Sequence, residues 1–99
     1  MKIEFADKNR IIITGDVKSL DNYSEIRKSI QEFIDTGEKY LTVDIADSMI
    51  ITSSLIGYFT KIIHADGIKL TIVVHSERLY DLLEDLNLTA MFNVKKEIG

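Results

Sequence analysis

The spacing of apolar positions alternates between two residues and three to four, and each change of period marks a change of element. Lys2 to Phe5 alternates polar and apolar and predicts a short strand, followed by the turn cluster Asp7-Lys8-Asn9. Arg10 to Thr14 carries the β-branched run Ile11-Ile12-Ile13 up to Gly15 and predicts a second strand, antiparallel to the first. After the loop Asp16 to Ser19 the period lengthens. Leu20, Tyr23, Ile26, Ile30, Phe33 and Ile34 form one stripe, while Glu25, Lys28, Gln31, Glu32 and Asp35 face away. This predicts an amphipathic helix over Leu20–Thr36, capped by Ser19 or Asp21 and stopped by Gly37. Tyr40 to Ile45 returns to a period of two, with Leu41, Val43 and Ile45 on one face and Thr42 and Asp44 on the other. Leu55, Ile56, Phe59, Ile62 and Ile63 predict a second helix from about Ser53 to Asp66-Gly67. Ile68 to Val74 predicts a strand. Ser76-Glu77 starts a third helix with Leu79, Leu82, Leu83 and Leu86 as its apolar face and Asn87 as its stop. Leu88, Met91 and Phe92 are expected to fold back under that helix, and Val94 to Ile98 to add an edge strand.

The resulting order, β-β-α-β-α-β-α with a last strand, is that of an α/β protein. Its repeated strand–helix–strand units demand right-handed crossovers and parallel neighbours, and its first hairpin makes the sheet mixed. Ninety-nine residues suit one domain, 1–99, with a single core.

Composition narrows the function classes. A chain 45% hydrophobic and 28% charged belongs to an ordinary globule rather than a disordered segment. The absence of cysteine removes disulfide and thiol chemistry. A net charge of −4 with no basic block argues against nucleic acid as a partner. No apolar run approaches a membrane span, and Met1-Lys2-Ile3-Glu4 opens no signal-peptide core, so the expected setting is cytoplasmic, with no membrane partner. The two histidines and scattered carboxylates show no metal-ligand spacing, and no cofactor motif is present.

The stretch Ser48 to Phe59 carries the one chemical suggestion. Thr52, Ser53 and Ser54 stand between the apolar run Met49-Ile50-Ile51, expected to form a floor for the loop, and the second helix. A hydroxyl there can cap the helix by accepting from an orphaned backbone N–H. The same N–H groups and the positive end of the helix dipole would equally accommodate a phosphate. Gly57 stands inside the helix pattern, where glycine costs about 0.5–1 kcal/mol relative to alanine, and suggests close approach of a strand or a partner. Leu55 and Tyr58, if they face outward, would anchor an interface.

Thr52-Ser53-Ser54-Leu55-Ile56-Gly57, following a strand and an acidic turn, resembles the Asp-Ser-Ser-Gly-Leu-Gly segment of the STAS domain family, which includes the bacterial anti-sigma factor antagonists. Gly15-Asp16-Val17 is similar to the Gly-Glu-Leu that ends the second strand of those proteins, and the spacing from Gly15 through Val43-Asp44-Ile45 to Ser54 fits without a gap. The resemblance covers nearly the whole chain. It implies a mixed, mostly parallel sheet with helices packed on one face, and a phosphorylation site at Ser54. It also implies a partner surface made by Thr52, Ser53, Leu55, Gly57 and Tyr58 with Lys18 and Asp21 of the neighbouring loop. The implied partners are an anti-sigma factor or serine kinase of the histidine-kinase-like ATPase type and a serine phosphatase. The sequence departs from the family pattern at Thr52, where an acid is usual, at Leu55, where glycine is usual, and at Lys18, where aspartate is usual.

Two other readings compete. One is a STAS scaffold subunit in a larger signalling assembly, never phosphorylated. The other is a small serine hydrolase in which Ser54, His75 and Asp47 meet at the edge where the loops after parallel strands gather. No Gly-x-Ser-x-Gly elbow supports it. His64, ten residues along the same helix, would lie roughly 15 Å from Ser54 and cannot act as its base.

Overall fold

The computed structural model describes residues 1–97. Among them the elements are β1 (Lys2–Asp7), β2 (Arg10–Thr14), α1 (Leu20–Asp35), β3 (Tyr40–Ile45), α2 (Ser53–His64), β4 (Lys69–Val74), α3 (Glu77–Asp85) and β5 (Val94–Lys96). The strands lie in the sheet in chain order, β1 to β5. β1 is antiparallel to β2, and every later neighbour is parallel. Each parallel step is bridged by one helix, so the fold is α/β with a mixed, mostly parallel sheet. The last strand stops at Lys96, and Ile98 lies outside the described residues.

Alternation along the strands sorts the residues. Ile11, Ile13, Leu41, Val43, Ile45, Leu70, Ile72 and Val74 point to one face and are buried there. They share one core with Ile26, Ile30 and Phe33 of α1, with Leu55, Tyr58, Phe59 and Ile62 of α2, and with Leu79 and Leu83 of α3. All three helices therefore cover the same face of the sheet. Phe92 folds back beneath α3 as expected and meets Phe59 edge-on, with ring centroids 5.8 Å apart. Met91 and Leu86, also expected inside, are exposed. Leu86 is the residue that ends α3, and Asn87 leaves the helix at a positive φ.

The helix ends follow the capping rules. Ser19 Oγ accepts from Asn22 N–H at 3.1 Å while Asn22 Oδ1 accepts from Ser19 N–H at 3.2 Å, so Ser19 and not Asp21 caps α1. Gly37, at φ +91°, carries the chain out of it. Leu20 is not part of the buried stripe. It occupies the first helical position, where the chain is still emerging from the loop, and is 73% exposed. Ser76 caps α3 through Leu79 N–H at 3.2 Å. No described helix is long and apolar enough to cross a membrane.

Candidate functional site

β2, β3 and β4 run parallel, so the segments that follow them gather at one rim of the sheet. Ser48 joins two of these segments. Its side chain is buried, accepts from Val17 N–H at 3.2 Å and donates to Ile50 O at 2.7 Å. Beside it, Asp47 Oδ2 accepts from Gly15 N–H at 3.2 Å. The β2–α1 loop, with Lys18, is thereby held against the β3–α2 loop, with the serines.

Thr52 caps α2. Its Oγ1 accepts from Leu55 N–H at 3.2 Å, and its backbone carbonyl accepts from Ile56 N–H. Because Thr52 takes the capping role, Ser53 and Ser54 are left exposed in the first turn, and neither hydroxyl makes a hydrogen bond among the described residues. That first turn carries no acidic side chain, so the helix dipole is uncompensated there. Lys18 and Asp21 are exposed on the adjoining loop and helix start.

Two expectations need correction. Met49 and Ile50 do not floor the loop; they are 53% and 46% exposed, and only Ile51 turns partly inward. With Leu20 they place apolar side chains on the segments around Ser54. Conversely, Leu55 and Tyr58 are not exposed anchors. Leu55 is 0% exposed because it starts the inward stripe that continues through Phe59 and Ile62. Tyr58, 5% exposed, faces α1, with its ring edge-on to Tyr23 at 6.5 Å and Arg27 5.9 Å above it. Burial pushes its hydroxyl up to about 12, against the opposing pull of Arg27. Gly57 is exposed, and a Cβ built there meets nothing within 4 Å, so no strand packs against it.

A second polar constellation lies on the helix-free face. Asp44, on the face of β3 opposite Leu41, Val43 and Ile45 as its alternation predicts, is 6% exposed and holds two partners. Its Oδ2 accepts from Arg10 Nη2 at 2.6 Å, and its Oδ1 accepts from His75 Nε2 at 2.8 Å. The register explains the meeting. Ile12 pairs with Asp44 and Asp44 with Val73, so Arg10 and His75 are its diagonal neighbours on opposite sides. His75 therefore sits on the face away from the helices, while Ser54 sits on a helix, and Asp47 is engaged with Gly15. The Ser54–His75–Asp47 set is not assembled. Among the described residues no three metal-ligating side chains cluster.

Sequence reasoning missed Ser48 and the Arg10–Asp44–His75 cluster. A serine in a polar turn gives no sign of burial, and cross-strand diagonals depend on a register that periodicity leaves open. No family model matches the chain, and no curated protein matches it.

Proposed function

We propose that this is a protein-binding regulatory domain of the STAS type, similar to an anti-sigma factor antagonist, with Ser54 as its phosphorylation site. The observation that carries the reading is the division of labour among three adjacent hydroxyls. Thr52 caps the helix, so phosphorylating Ser54 removes no structural bond. The phosphate would add roughly −1.5 to −2 charges at the positive end of a helix whose first turn carries no acidic side chain. The fold tolerates the charge, and the change falls on the surface a partner meets.

That surface is supported by Leu20, Met49 and Ile50, exposed around the serines, with Gly57 one turn further along α2. An anti-sigma factor or switch kinase would dock its own apolar side chains there and supply ATP and metal. The Ser54 hydroxyl would take the γ-phosphoryl group, releasing ADP and a proton. A serine phosphatase would reverse the step. A partner apolar or acidic at this point would then lose affinity, and a hundredfold loss needs only about 2.7 kcal/mol.

The test is direct. Candidate kinases of the histidine-kinase-like ATPase type are incubated with the domain and ATP, and the product is mapped by mass spectrometry. Phosphate is expected on Ser54 and absent in Ser54→Ala. Binding measured by calorimetry should survive Ser54→Ala and fall at least tenfold in Ser54→Asp. Equal binding of both variants refutes the switch and leaves the scaffold reading, in which the same rim binds constitutively.

A further inference from the structure

The outer edge of β1 ends the sheet. Its geometry can be read from the strand next to it. Thr42 N–H donates to Asn9 O at 2.8 Å and Ala46 N–H to Ile13 O at 3.0 Å, so the odd-numbered residues of β2 turn their backbone groups toward β3. The even-numbered ones, Ile12 and Thr14, turn theirs toward β1, where they pair with Glu4 and Lys2. The N–H and C=O groups of Ile3 and Phe5 therefore point outward, with no strand beyond them among the described residues.

We propose that this edge pairs with the same edge of a second copy of the chain, antiparallel and centred on Ile3, making one continuous sheet across a two-fold axis. The sequence of the edge is complementary to itself in this register. Ile3 faces its own copy, Lys2 faces Glu4 of the second copy, and Met1 faces Phe5 of the second copy. Both charge pairs lie on the helix-free face and the apolar pairs lie on the helix side. Moving the register by one pairing step sets Glu4 against Glu4, which like-charge repulsion disfavours. That shift also runs the pairing into the irregularity between Phe5 and Asp7, and moving it the other way sets Lys2 against Lys2.

A second feature lies at the same place. Phe5 is 47% exposed and stacks on Phe33 with centroids 6.3 Å apart. The two rings line an open cavity of about 470 Å3, rimmed by Lys8, Thr36 and Glu38. Met1 of the second copy, opposite Phe5, reaches the mouth of this cavity and covers the exposed ring. The other edge of the sheet is protected in the usual ways: β5 has three residues, two of them lysine. Pairing is thus confined to a closed two-fold contact and does not propagate. A five-residue edge is smaller than most stable interfaces, so the association is reversible, with a dissociation constant on the order of 100 µM.

Sedimentation of the whole chain from micromolar to about 1 mM tests this. The wild type is expected to pass from monomer to dimer across that range. Lys2 and Glu4 are both exposed and face each other across 3.9 Å within one chain, so exchanging them keeps that pair, while Glu4→Lys alone gives up only a solvent-screened contact of little weight in the fold. Glu4→Lys places like charges opposite each other twice and should weaken the dimer at least tenfold. Combining it with Lys2→Glu should restore the dimer to within about threefold of wild type. A monomer at every concentration, a dimer indifferent to Glu4→Lys, or a double variant that fails to recover would each overturn the proposal.

Discussion

The two faces of the sheet use the same strands for opposite purposes. On the covered face β3 contributes Leu41, Val43 and Ile45, each surrounded by helix side chains. On the open face the same strand contributes Thr42 and Asp44, and among the described residues no helix lies above them. Asp44 is nevertheless nearly as buried as its apolar neighbours. Its burial comes from side chains of the strands on either side, chiefly Arg10 and His75, whose own side chains are about one-third exposed. Burial under a helix layer excludes water from every direction. Burial among strand side chains leaves water at the partners' backs. The first arrangement holds apolar side chains and the uncharged ring of Tyr58, while the second sustains a charged cluster.

Three substitutions sharpen this contrast. Phe59→Ala removes a ring at the centre of the covered face and its edge-on contact with Phe92, and should destabilise by about 3–5 kcal/mol in urea unfolding. Asp44→Ala deprives Arg10 and His75 of their common acceptor, but both can turn to water. The expected loss is about 1–2 kcal/mol. A loss as large as that of Phe59→Ala would show that the open face is as closed as the other, and the comparison would fail. The smallest effect is expected on a third surface, the outside of α2. Gly57→Ala adds a methyl group into open space within a helix and should stabilise by about 0.5–1 kcal/mol. A destabilisation there would mean that the outer face of α2 is more crowded than its geometry indicates.

Most of the architecture was legible because it follows from period and punctuation. The alternation of β3 and β4, the stripe of α2, that of α1 apart from Leu20, and the stops at Gly37 and Asn87 appear in the sequence as they do in space. The site was legible only in part. Ser54 at a helix start could be read from the hydroxyl run, but which hydroxyl would serve as the cap could not, since Thr52, Ser53 and Ser54 are chemically alike in that role. Leu55 illustrates a conflict. Its spacing to Phe59 and Ile62 argues for the core, and the motif resemblance argued for the surface; packing decided for the core. The meeting of Arg10, Asp44 and His75 brings together residues more than thirty positions apart and depends on strand register, which no local pattern encodes.

Ser48 has a consequence for recognition. One buried hydroxyl bonds to the loop after β2 and to its own loop after β3, so the two segments behave as a single stiff ledge. Their conformational freedom is lost when the chain folds, and not when another molecule arrives. Whatever settles on that ledge meets a shape already set, and its affinity is not diminished by having to order the loops itself.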